Sequence, residues 1–120
     1  MMANIKSKIL IIIVTIISIV IIYLIYNFFY SLNSLPKGDL LESIKSPTNE
    51  YVINSYLVRN SLSADAIRVE LINNKTLKRK NIYWGYPEST ADIKWINEDI
   101  VEINGHTLNI YKDRYDWRKQ

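Results

Sequence analysis

The chain has 120 residues, with 15 lysines and arginines against 12 acidic residues, one histidine and no cysteine. That length holds at most one domain beside a membrane-length segment, and the missing cysteines exclude a disulfide framework, a zinc–thiolate site and a lipoprotein attachment point. The net charge of +3 does not indicate nucleic-acid binding: Lys6 and Lys8 precede the first apolar run, and from Ser31 onward 13 basic residues face 12 acidic ones, without the concentrated positive face such binding needs.

Residues 1–8 form a short polar start carrying those two lysines. From Ile9 to Tyr30 the chain is nearly continuous Ile, Leu, Val, Tyr and Phe with no charge. Twenty-two residues at 1.5 Å each span about 33 Å, enough for a hydrocarbon core of about 30 Å, so 9–30 is expected to be a transmembrane helix. β-Branched residues would suit a strand in water, but in lipid the unpaired backbone forces a helix. Tyr23, Tyr26 and Tyr30 share one helical face with Phe28 and Phe29 beside them, the pattern of an interfacial aromatic belt. A cleaved signal peptide fits less well. The run exceeds the usual apolar region of about 7–15 residues, and no small-x-small site lies near Ser31–Ser34. Lys6 and Lys8 abut the helix start, whereas Lys37 and Lys45 lie further past its end among Asp39 and Glu42. The positive-inside rule then places the N-terminus in the cytoplasm and the rest outside, at the cell membrane as a single-pass protein.

Residues 31–39 read as a linker, with Pro36 and Gly38 as breakers, and 40–120 as a small β-rich domain. Tyr51–Val58 alternates with apolar residues on both faces, and Ile67, Val69 and Leu71 alternate with Arg68 and Glu70 as a half-exposed strand. Ile82, Trp84 and Tyr86 mark a third strand, Ile93 and Trp95 a fourth. Ile100–Ile103, Asn104-Gly105 and His106–Ile110 read as a hairpin, since Asn-Gly suits both positive-φ positions of a type I′ turn. Ser46–Asn49, Asn73–Thr76 and Asn97–Asp99 are further turns. Spacing this short leaves no room for crossover helices, so the expected fold is mainly β, a transmembrane helix followed by an antiparallel meander resembling a single propeller blade. A lone sheet of that kind must cover its apolar face by curling, by the tail from Tyr111, or by pairing with a second copy as a homodimer.

The ordered motifs Asn81-Ile82-Tyr83-Trp84-Gly85-Tyr86, Ile93-Lys94-Trp95-Ile96, Ile103-Asn104-Gly105-His106 and Tyr115-Asp116-Trp117-Arg118 resemble a family of uncharacterised short single-pass membrane proteins of Gram-positive spore-forming bacteria, a domain of unknown function. The likeness spans about Leu40 to Arg118. It implies a membrane-tethered envelope protein and brings no activity, cofactor or site residue.

Little chemistry suggests itself. His106 is the only histidine, so a metal site would have to draw on Asp and Glu alone, and its place after the Asn-Gly turn suggests a solvent-exposed strand residue. A Ser-His-Asp set drawn from Ser61, Ser63 or Asp65 lacks a nucleophile elbow. No catalytic residue, cofactor or metal is expected, and the chain reads as non-enzymatic. Lys75, Lys78, Arg79 and Lys80 straddle a turn and suit an anionic partner, lipid head groups or a polyanionic wall polymer, although lysines at a hairpin tip also blunt sheet edges. Trp84, Trp95 and Trp117 serve as core in so small a sheet, with one or two rings, Trp84 and Trp117, left for an interface. The leading expectation is a protein-interaction module at the bacterial cell envelope, with the lipid bilayer and an envelope or membrane protein as partners and no nucleic acid. The alternative is a small accessory subunit acting through its transmembrane helix.

Overall fold

The structure is a computed structural model that describes the backbone of residues 2–30, 32 and 35–119 and the side chains of 4–27, 32 and 35–119. Ser31, Asn33 and Ser34 of the expected linker lie outside the described residues, as do the side chains of Phe28, Phe29 and Tyr30 from the expected belt. The chain divides into two units, 1–34 and 35–120.

Most of the first unit is one helix, α1 (Met2–Tyr30), which begins before the apolar run and includes Lys6 and Lys8. Asn4–Asn27 is long and apolar enough to cross a membrane. Every side chain from Asn4 to Tyr26 is exposed. The polar side chains satisfy themselves within the helix. Thr15 Oγ1 donates to the Ile11 carbonyl at 2.8 Å, Ser18 Oγ to Val14 at 2.9 Å and Asn27 Nδ2 to Tyr23 at 3.1 Å, which hides their hydrogen-bonding capacity from an apolar surrounding.

The second unit is all β apart from one 3-10 turn, Trp117–Lys119. Its strands are β1 (Asp39–Lys45), β2 (Tyr51–Val58), β3 (Ala66–Asn73), β4 (Arg79–Gly85), β5 (Ile93–Trp95), β6 (Ile100–Ile103), β7 (His106–Asn109) and β8 (Tyr115–Asp116). The mainly β domain after an apolar helix is therefore what the structure shows. The strands divide between two sheets, where the sequence pattern suggested one blade. β1–β4 form an antiparallel meander that β8 extends in parallel beside β4, while β5–β6–β7 form a separate antiparallel sheet.

The physical reason is the inner face of the meander. Ile53 pairs with Leu71, Ser55 with Val69 and Leu57 with Ile67, and Tyr83 sits opposite Val69. This apolar stripe is closed by Val101, Ile103 and Leu108 of the second sheet and by Ile110 just after it, all in one buried cluster. Ile93, Trp95 and Tyr115 pack against that cluster from its rim. Alternation along β6 and β7 supplies the inward residues, and the two-residue Asn104-Gly105 turn has both φ angles positive, 47° and 84°, as its type I′ geometry requires.

Two polar clamps tie the layers. Tyr83, the largest fully buried side chain, donates its hydroxyl to both oxygens of Glu88 at 2.5 and 2.6 Å. Asn104 Nδ2 donates to the same carboxylate at 2.5 Å and to the Thr90 carbonyl at 2.9 Å, so the hairpin turn of the second sheet grips the β4–β5 connection. At the other end of the meander, Glu98 accepts from the Thr48 amide at 3.0 Å and from its hydroxyl.

The outer face of the meander differs from the solvated face that alternation implied. Arg68 is only 5% exposed. Its Nε and Nη2 donate to the Lys37 carbonyl at 3.1 and 2.8 Å, and Nη1 to Glu70 and Asn81 at 3.2 and 2.8 Å. The guanidinium also lies 4.0 Å over the Tyr56 ring. A guanidinium is tolerated there because its donors are used and a carboxylate offsets its charge. The segment just before β1 is thereby held to the sheet.

Gly85 follows from the first clamp. A Cβ at this position would overlap the Glu88 carboxylate. Gly85→Ala should displace Glu88 from Tyr83 and destabilise the domain by about 2 kcal/mol, the scale of a charged hydrogen bond lost in a buried site. In a Glu88→Ala background the same glycine substitution should cost much less. Thermal unfolding of the four full-length proteins in detergent, followed by near-UV circular dichroism, checks this coupling.

Candidate functional site

The meander has two distinct ends. β1 leaves the 35–38 segment, β2 returns to the 59–65 turn, and β4 runs to Gly85 at that same end. The 46–50 and 74–78 turns lie at the opposite end, one eight-residue strand away or about 25 Å. We call these the near and far ends, by their distance along the sheet from the segment that follows α1.

At the far end, Lys78, Arg79 and Lys80 line a groove of about 420 Å³ with Tyr51, Tyr111, Leu71 and Ile110. β4 presents Lys80 on the inner side of the sheet, opposite Leu71, where it is half-buried. Its ammonium is held below the ordinary lysine range by burial and by the nearby positive charge of Arg114. Among the described residues Lys78, Lys80 and Arg114 form no salt bridge, whereas Arg79 shares Glu70 with Arg68 at 3.1 Å. Tyr51 and Tyr111 meet edge to face at 6.2 Å. Hydrogen bonding with Tyr51, burial and the nearby Asp99 push the Tyr111 phenol up to about 12, so it remains a neutral donor at physiological pH. The arrangement is an aromatic trough with a basic rim, with Glu70 beside Arg79 and Asp99 beside Tyr111.

At the near end, Trp84, Tyr86 and Trp117 line a cleft of about 530 Å³ with Pro36, Val58 and Ala66. Tyr86 and Trp117 lie 4.7 Å apart between ring centroids. The six residues suggested for interaction therefore do not form one site. Lys78, Arg79 and Lys80 share the far groove, and Trp84 and Trp117 share the near cleft. Lys75 lines neither; it is exposed in the β3–β4 turn, where its amide donates to Asn73 Oδ1 at 2.9 Å. Trp95 packs against the core.

His106 corrects another expectation. It is half-buried rather than solvent-exposed, stacked at 4.0 Å on Tyr115, which in turn stacks at 4.9 Å on Tyr83. The parallel pairing of β8 with β4 brings Tyr115 beside Tyr83, a long-range pairing without a local sequence signal. Burial, followed by the hydrogen bond to Glu88, raises the Tyr83 phenol above its ordinary value, so it is neutral at any physiological pH. Among the described residues no group of three or more His, Asp or Glu side chains is placed to hold a metal ion. Tyr51 and Tyr111 line the far groove and Arg114 lies near Lys80, but none of the three was singled out from sequence. The signal for Tyr111 and Arg114, aromatic and basic residues in a polar tail, is the same one a solvated tail gives.

A model of a protein family described as being of unknown function matches residues 4–120. No curated protein and no solved structure matches the chain.

Asp116 anchors the near cleft from below. It is 4% exposed and takes Arg118 Nε and Nη2 at 2.9 and 2.7 Å together with the Arg118 amide at 3.0 Å. Burial alone would raise its pKa, but the Arg118 hydrogen bonds and charge outweigh this and hold the carboxyl below the ordinary carboxylate range. A depressed folded-state pKa gives stability that is present above the unfolded value and lost as pH falls through the folded one. The wild-type unfolding midpoint should therefore fall more steeply below about pH 4 than that of Asp116→Asn, which is less stable at neutral pH but less acid-sensitive. Thermal melts across an acid series check this.

Proposed function

The chain belongs to DUF5412, a family of unknown function, and from that premise we propose that it is a membrane-tethered, non-enzymatic binding module of the bacterial cell envelope. In this reading α1 crosses the cell membrane once with Lys6 and Lys8 on the cytoplasmic side, and the β-domain stands outside. The far groove engages an acidic segment of an envelope or membrane protein.

The observation that carries the reading is the groove itself. Lys78, Arg79 and Lys80 line an aromatic trough, Arg114 lies near Lys80, and among the described residues Lys78, Lys80 and Arg114 form no salt bridge. It lies at the end of the sheet away from the segment that follows the helix. Tethering raises the effective concentration of a partner in the same membrane, so modest intrinsic affinity suffices.

The fate of the titratable groups supports a non-enzymatic reading. Glu88 is held by Tyr83 and Asn104, Asp116 by Arg118, and His106 lies in an aromatic stack. Action through the transmembrane helix has less in its favour, because Thr15 and Ser18 spend their hydroxyls on their own backbone. Pairing of two copies through β1 would use the open edge of the meander. The irregularity between Leu40 and Glu42 works against it, since bulges blunt sheet edges.

Two experiments test the proposal. A single cysteine at Lys75, exposed at the far end, should react with a membrane-impermeant maleimide in intact cells; labelling only after lysis reverses the topology. Lys78→Glu/Lys80→Glu should abolish cross-linking of the native-level protein to its partner while leaving the near-UV spectrum unchanged. Undiminished cross-linking would remove the groove from the function.

A further inference from the structure

The near end carries apolar surface that the fold does not use. Leu62, at the tip of the 59–65 turn, is 95% exposed, and no packing or turn geometry calls for leucine between Ser61 and Ser63. Beside it opens the cleft floored by Val58 and Ala66 and walled by Trp84, Tyr86 and Trp117. Trp117 remains 37% exposed although Tyr86 lies against its ring.

Chain length restricts where this surface can be. Pro36 lines the cleft and lies six residues beyond Tyr30, the last residue of α1. Six residues reach at most about 21 Å when fully extended. If the helix spans a bilayer, as the proposed function holds and on which this inference rests, the cleft is tethered within reach of the layer where Trp and Tyr rings concentrate.

We propose that the near end of the β-domain docks on the bilayer surface, with Leu62 at the acyl boundary and the Trp117 and Tyr86 rings at head-group level. The charge pattern suits a zwitterionic surface. Asp39 is paired with Arg59 and Asp116 with Arg118, and Lys37 and Lys119 are matched in number by Asp65 and Glu88, so the formal charges of the near end balance and docking is apolar rather than electrostatic. A tethered surface needs only weak intrinsic adhesion, because association is intramolecular. Docking would also orient the domain, pointing the far groove away from the membrane.

The test uses the full chain, whose lack of cysteine allows a single probe. An environment-sensitive fluorophore is placed on Ser61→Cys, or on Lys75→Cys as the far-end control, in phosphatidylcholine nanodiscs containing a lipid with a nitroxide high on its acyl chain. The Ser61 probe should be quenched several-fold more than the Lys75 probe. The contrast should survive about 0.5 M salt, where charge attraction is screened within a few ångström. Leu62→Asp should remove the contrast without changing the near-UV spectrum. Equal, weak quenching at both positions in nanodisc-embedded protein would overturn the docking alone and leave the cleft to a soluble partner. A chain that does not enter nanodiscs would overturn the membrane anchor and the docking with it.

Discussion

Everything in the β-domain depends on covering one apolar sheet face. The inward stripe of β2, β3 and β4 puts Ile53, Ile67, Val69, Leu71 and Tyr83 on the same side. An open sheet of this size would leave that face in water, at a cost of roughly 1.5–3 kcal/mol for each large side chain left uncovered. The chain folds its last third back as a second sheet, so that Val101, Ile103, Leu108 and Ile110 meet the stripe. A second copy is then not needed to close the core.

That closure makes demands elsewhere. Tyr83 brings a phenol into the interior, and a buried hydroxyl without a partner is costly. Glu88 reaches it only because position 85 lacks a Cβ. The same carboxylate then receives Asn104 from the turn that joins β6 and β7. One half-buried carboxylate thus couples both sheets and the connection between them. The Trp84-Gly85-Tyr86 run acquires a physical meaning here: the glycine admits the clamp, while its two aromatic neighbours line the near cleft.

The two ends of the meander have different surfaces because the strands carry different residues to them. Strand direction sends Lys78, Arg79 and Lys80 to the far end and the Trp84–Tyr86 segment to the near end, and the parallel placement of β8 adds Trp117 to the latter. Cationic and aromatic features that are close in sequence therefore end up roughly 20 Å apart, six residues along the strand.

Much of this was legible from residue order alone. The apolar helix needs only length and composition, the two properties by which a run of about 20 apolar residues is recognised as long enough for a span. Strand periodicity around Ile53, Val69 and Ile82, and the Asn104-Gly105 turn, are local signals set by alternation and by φ preference. Tertiary structure decided what depends on contacts across the chain. The division into two sheets, the parallel β8 and the stacking of His106 on Tyr115 follow from burying a shared face, which no local window contains. Arg68 shows the limit most clearly. Its alternation with Val69 reads as a solvent-facing position, yet the Lys37 carbonyl, Glu70, Asn81 and the Tyr56 ring converge on it and make burial of a cation tolerable. A sequence states which groups must be satisfied, but only the folded chain determines which partners arrive to satisfy them.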